Sequence, residues 1–165
     1  MAQKLHPIPQ PHIQVVDLER RQGTPPWRTY WESLDKAVEG ILDTPAGSFS
    51  IVADIDGSGA EIETGLKAWV QVPFSGTITS ATALADQTGS IVVDIWKDTF
   101  SNYPPTNADS ITASAPVTIS SAIKSEDTAL TGWTKDITAG DVLAFNVDSV
   151  TDIEHVVISL AINKT

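Results

Sequence analysis

The chain has 165 residues, no cysteine and a formal net charge of −11. This length allows one domain with a full hydrophobic core plus an appendage, but not two ordinary domains. The lack of cysteine excludes disulfides, thiolate nucleophiles and cysteine metal sites, and it leaves the redox compartment open. No apolar run approaches the ~18 residues of a membrane span, so membrane insertion is not expected.

The acidic charge is concentrated in the larger, C-terminal part of the chain. Residues 46–165 carry five lysines, no arginine and fifteen acids, a net charge of −10. Since nucleic-acid affinity comes largely from Lys and Arg that displace counterions, nucleic acid and anionic membrane are poor partners. Prolines interrupt the N-terminus, which lacks the apolar core of a signal peptide, so we expect synthesis in a cytoplasm without a secretion signal.

Residues 1–46 are predicted to form an attachment arm. Alternate prolines between Pro7 and Pro11 favour an extended strap. Thr29 and Glu32 form a capping box that predicts a short α-helix over about residues 29–42. Oligomer or anchor contacts are predicted for the apolar stripe of this helix and a preceding tryptophan: Trp27, Trp31, Leu34, Val38 and Ile41. A disordered strap, and a helix docked on its own domain, are the alternatives.

Residues 47–165 are predicted to form an all-β, jelly-roll-like sandwich of about eight antiparallel strands. The plainest strand follows a predicted turn at Gly89, with Ile91 and Val93 on one side and Asp94 on the other. Turn signals recur at roughly 8–12-residue spacing, which is typical of a double-sheet fold. The other expected strands cover residues 49–55, 61–72, 77–84, 110–114, 116–120, 129–137, 143–147 and 155–163.

No catalytic residue, cofactor or metal site is predicted. The single histidine of the domain, His155, is interpreted as an outward strand residue, and no Gly-x-Ser-x-Gly elbow accompanies it. The fifteen acids offer no specific pair for glycoside hydrolysis, and most are interpreted as surface charge. Residues 54–61 resemble the start of a calcium loop but lack the closing glutamate of an EF-hand, which favours a simple turn.

Candidate ligand-binding residues lie in the loop at residues 98–109. Phe100, Asn102 and Tyr103 combine planar rings with an amide and a hydroxyl, a combination that suits a sugar or a protein surface. Trp69, on the polar face of its strand, could serve in the same way. The alternative is that these aromatic side chains cover the sheet or fill a subunit interface.

Three strings carry a resemblance to a known family: GLKAWVQVPFSGTITSATALADQ, ADQTGSIVVDIWKDTFSNYPPT and LTGWTKDITAGDVLAFNVDS. They resemble a β-sandwich domain that recurs in structural proteins of tailed bacteriophages and prophages. The segment GTPPWRTYWESL is similar to a short motif near the start of phage fibre and tail-associated proteins. The family pattern brings no catalytic residues.

The resemblance implies a virion component assembled in the host bacterial cytoplasm: a homotrimeric tail fibre, head fibre, spike or decoration protein. Its arm would bind other virion proteins, and its outward domain would touch the host, including surface polysaccharide. Two other hypotheses stay open, a free-standing carbohydrate-binding module or accessory domain, and a depolymerase.

Overall fold

The structure is a computed structural model that describes Tyr30 and residues 47–165. The chain divides into two units, Met1–Pro45 and Ala46–Thr165. Tyr30 is helical. The rest of the predicted arm and helix, with its five candidate anchor residues, lies outside the described residues.

Residues 47–165 are all-β, as the alternating pattern predicts. Within this part of the chain no helix is long and apolar enough to cross a membrane, and the helices present are single 3-10 turns at Phe100–Asn102 and Asn107–Asp109. Alternation explains the strands: in the first, Ile51, Ala53 and Ile55 are buried while their neighbours face solvent. The seven strands are β1 Ser48–Asp56, β2 Gly65–Gln71, β3 Gly76–Thr99, β4 Val117–Asp127, β5 Asp136–Ile137, β6 Asp141–Thr151 and β7 His155–Lys164.

The centre of the fold is β3, a single strand of 24 residues. The predicted turn at Gly89, between two separate strands, is wrong. The chain instead passes through Gly89 with shifts of the β3–β4 register on both sides of it, which is a bulge and not a reversal. A side chain at this position would collide with the backbone of Thr151, so glycine permits the close approach.

The long strand divides the antiparallel sheet into two layers. Residues 76–85 of β3 pair with β7, whereas residues 90–99 pair with β6. On the other edge, the end of β4 pairs with the first part of β3 and the start of β4 pairs with the second part. Layer A therefore has the order β1, β7, first half of β3, second half of β4; layer B has the order β2, β6, second half of β3, first half of β4.

One hydrophobic core joins the two layers. Its members come from the inner faces of both, including the fully buried Phe145, Leu143 and Ile95 of layer B and Ile158 and Leu160 of layer A. A single core enclosed by two faces of a curled sheet is a β-sandwich, as predicted.

Two of the expected short strands are reduced in the structure. The segment at residues 110–114 makes only an isolated bridge, Ser110 with Trp96, and the segment at residues 129–137 contributes only the two residues of β5. Their apolar residues fill the edge of the core without extending the ladder. Trp133, for example, is buried and donates its Nε1 hydrogen to the carbonyl oxygen of Ala115 at 2.8 Å.

Candidate binding surface

Two tryptophans flank one alanine on the outer face of layer B. Trp69 of β2 and Trp96 of β3 are both paired with Ala144 of β6. Side chains of directly opposed residues in antiparallel strands lie on the same face, so the three form one row across the layer. Ala144 is fully buried yet does not belong to the core cluster, which means that outer-face side chains cover it. Trp69 remains 45% exposed.

The Trp96 indole is held by Asp94, two residues earlier on the same face. Its Nε1 hydrogen is donated to Asp94 Oδ2 at 2.7 Å. The Asp94 carboxylate also accepts from the Ile95 amide and the Ser110 hydroxyl, each at 2.8 Å, and from the Thr112 hydroxyl. A buried carboxylate with four donors is fully satisfied, so Asp94 fixes the position of its neighbours.

The neighbouring row of the same face leads to the predicted loop. In this row Asp98 of β3 is paired with Val142, and Val142 with Gln71. Val142, like Ala144, is buried without being part of the core cluster. Asn102 donates from Nδ2 to Asp98 Oδ1 at 3.1 Å. The loop amide is thereby linked to the row that adjoins the two indoles.

The two loop aromatics predicted as ligand contacts are among the most exposed apolar side chains. Phe100 is 69% and Tyr103 is 52% exposed. Within residues 47–165, stacked or edge-on ring contact occurs between Phe49 and Phe74, which lie elsewhere. Phe100 and Tyr103 therefore present more than half of their side-chain surface to solvent, and their roles as ligand or subunit contacts stay predictions.

Sequence reasoning pointed to two of the elements of this surface and missed two. The outward direction of Trp69 and the polar loop were predicted. Trp96 and its positioning group Asp94 were not singled out as functional. The available signal was the outward side of the strand from Val92 to Trp96, where an acid stands two residues from a tryptophan, but the pairing with Ala144 is not visible in the sequence.

His155 lies at the surface among carboxylates. Its Nε2 is hydrogen-bonded to Asp54 of the adjacent strand, and its amide donates to Asp86 at 3.1 Å. The hydrogen bond to Asp54 raises the pKa of His155, and the charges of Asp54, Asp56 and Asp86 add to this against the opposing effect of burial. With a raised pKa, His155 keeps its imidazolium form to a higher pH than an ordinary histidine.

The oxygen-rich turn at residues 54–61 uses its carboxylates separately. Asp56 accepts the amide hydrogen of Ser58 at 2.7 Å, and Glu61 accepts that of Asp152 at 2.6 Å. Ser58 and Gly59 have positive φ values, as a tight turn requires. Among residues 47–165 and Tyr30, no group of three or more His, Asp or Glu side chains could hold a metal ion.

Comparison with known proteins does not identify a function for this chain. No protein-family model and no curated protein matches the chain. The fold and the surface define a class, a β-sandwich domain with an exposed tryptophan on an outer face and exposed aromatic residues in an adjoining loop. The function must be argued from those side chains.

Proposed function

We propose that the protein is a structural component of a phage or phage-like particle, anchored by residues 1–46, whose β-sandwich binds host-surface carbohydrate. The observation that carries the binding part is the exposed Trp69 in a row with Trp96, beside the Asp98–Asn102 pair. An indole face supplies apolar stacking area, and the adjacent amide and carboxylate supply directed hydrogen bonds.

The strand order supports a jelly roll as the particular sandwich. If the halves of β3 and β4 are counted separately and the two-residue β5 is omitted, the domain has eight segments. Layer A then takes segments one, eight, three and six, and layer B takes two, seven, four and five. The same order is expected of a jelly roll, an architecture used by viral capsid and lectin domains, and this supports the proposal.

The virion part of the proposal rests on the sequence resemblance and on the layout of the chain. A proline-rich segment and a predicted amphipathic helix precede a sandwich in which residues 47–165 form a hydrophobic core. Homotrimer formation would bury the helix stripe against its own copies. Light scattering on the purified chain should give the mass of three copies, and a monomer at micromolar concentration would contradict the trimer.

Deletion of residues 1–45 tests whether the arm attaches the protein to the particle and whether the sandwich folds without the arm. We expect the truncated chain to retain a β-type circular dichroism spectrum and to lose incorporation into particles. The second candidate, a free-standing carbohydrate-binding module, is favoured by the location of the whole aromatic surface within residues 47–165. It requires that truncation leave binding intact and that the full chain associate with no particle.

A glycan array tests the carbohydrate part. The full chain is expected to bind a subset of surface glycans, and Trp69→Ala and Tyr103→Ala are expected to weaken that signal. A flat array would leave a scaffold or decoration role without sugar recognition. Release of reducing ends from a host polysaccharide would favour the depolymerase hypothesis.

A further inference from the structure

We infer that Trp69 and Trp96 form a two-ring platform for an extended, neutral polysaccharide that lies across the strands of layer B, and that Asp94 is the positioning residue of this platform. The inference rests on the proposed carbohydrate binding and names its substrate class. It adds Trp96 as a second stacking residue, beyond binding by Trp69 and the loop alone.

The separation of the two indoles fits more than one sugar ring. Trp69 and Trp96 are on strands that flank β6, so their backbones are two strand spacings, or about 10 Å, apart. This span is comparable to the length of an extended disaccharide. Ala144, between them, has only a methyl group and cannot obstruct a chain that passes from one ring to the other.

The hydrogen bond to Asp94 determines how Trp96 is presented. Because Nε1 is tied to a carboxylate two residues back along the same strand, the indole lies along the strand and against the sheet. Part of the Trp96 ring stays exposed on the outer face of layer B. The half-buried state of Trp96 agrees with this arrangement.

Hydrogen-bonding side chains line both flanks of the platform. On one side is Asp98 with Asn102, and on the other is Asn146, which is paired with Asp94 and donates to Asp148 at 2.7 Å. Hydroxyl groups at the edges of sugar rings stacked on the indoles would face these amides and carboxylates.

The charge of the flanks indicates a neutral polymer. Among the described residues Asp98 and Asp148 have no cationic partner, whereas the nearby Lys97 is engaged with Asp141 at 3.3 Å. A uronic or sialic acid polymer would meet the carboxylates of Asp98 and Asp148, on a domain that already carries excess acid. The cation of Lys67, on the same side of β2 as Trp69, is itself 4.0 Å from the carboxylate of Glu63. Neutral hexose chains meet no such repulsion.

Affinity electrophoresis of the full chain tests the platform. Native gels contain a soluble β-glucan, a galactomannan or, as the acidic counterpart, alginate. We expect retardation by at least one neutral polymer and none by alginate. Trp69→Ala and Trp96→Ala should each weaken binding about tenfold or more, since each removes a stacking surface. Phe74→Ala, at an exposed aromatic residue away from the platform, is the matched control and should bind normally.

A double-mutant cycle separates positioning by Asp94 from general support of the fold. Asp94→Asn leaves an acceptor for the threonine and serine hydroxyls but replaces Oδ2 by an amide nitrogen that cannot accept from Trp96. Trp96→Phe keeps a ring and removes the N–H. We expect Asp94→Asn to weaken binding in the native background and to have little further effect beside Trp96→Phe. Equal weakening in both backgrounds would mean that Asp94 acts only through stability, and would overturn its role.

The outcomes distinguish this inference from the function on which it rests. If Trp69→Ala weakens binding and a folded Trp96→Ala does not, the platform is wrong and carbohydrate binding stands. If alginate binds as well as the neutral polymers, the neutral substrate class is wrong. If the glycan array and every gel are blank, the carbohydrate proposal itself fails. Urea unfolding midpoints near that of the native chain establish that each variant is folded.

Discussion

Gly89 is the position at which a small substitution should test the long-strand architecture most directly. An ideal Cβ there would lie 2.5 Å from the carbonyl oxygen of Thr151 and 2.6 Å from Cγ1 of Ile153. Ile153 is fully buried, and the Thr151 oxygen is backbone, so neither atom can move without displacing the connection between β6 and β7. The substitution Gly89→Ala therefore forces β3 and the connection between β6 and β7 apart.

The expected loss of stability follows from this overlap. Overpacking of a filled site costs about 1–3 kcal/mol, and contact with backbone places Gly89→Ala at the upper end. Reduced freedom of the unfolded chain offsets about 0.4–1 kcal/mol of this. The net loss is about 2 kcal/mol, which corresponds to a fall in Tm of roughly 4–8 °C for a chain of this size.

Urea unfolding followed by circular dichroism measures this loss, and Gly47→Ala is the matched control. Among the described residues no atom lies within 4 Å of a Cβ at Gly47, so the same change should be neutral or slightly stabilising there. If Gly89→Ala unfolds at the same urea concentration as Gly47→Ala, then β3 does not pass Thr151 at close range. The account of a continuous strand that joins both layers would then be wrong.

Two further predictions concern the core and the acidic surface. Phe145→Ala, at a fully buried ring, should lower the free energy of unfolding by about 3–5 kcal/mol, measured by the same denaturation; a loss below about 1 kcal/mol would contradict the assigned core. His155 should titrate above the ordinary histidine pKa of 6.5 in an NMR experiment, and Asp54→Asn should lower that midpoint. Since the folded-state pKa is the higher one, the stabilisation by His155 should be complete below pH 6.5 and lost as pH rises through the folded pKa. An unchanged midpoint in Asp54→Asn would refute the assigned cause.

The strands that alternate cleanly were predictable because burial on one side imposes period two. In β1 and β7 the alternation of buried and exposed residues reproduces the pattern in the sequence. Gly89 was misread because the polar residues and the glycine near it are locally typical of a turn. Only the pairing of both flanking halves with other strands keeps this segment extended, and that pairing is non-local.

The same limit applies to the binding surface. The alternation around Trp69 indicates its outward direction, and an aromatic residue in a polar loop such as Tyr103 stands out by composition. The meeting of Trp69 and Trp96 over Ala144 depends on the registers of two strand pairs, which connect residues up to 75 positions apart. No local pattern in the sequence reports such a register.

The buried Asp94 connects the segment after the loop to the outer face of layer B. A carboxylate removed from water is tolerated only when donors surround it, and two of its donors, Ser110 and Thr112, come from the segment that follows the exposed loop. A leucine would fill the site without this requirement, but it could neither hold the Trp96 indole nor pin that segment to β3. An aspartate at position 94 is therefore better explained by the need to hold the outer face of layer B in place than by the stability of the fold alone.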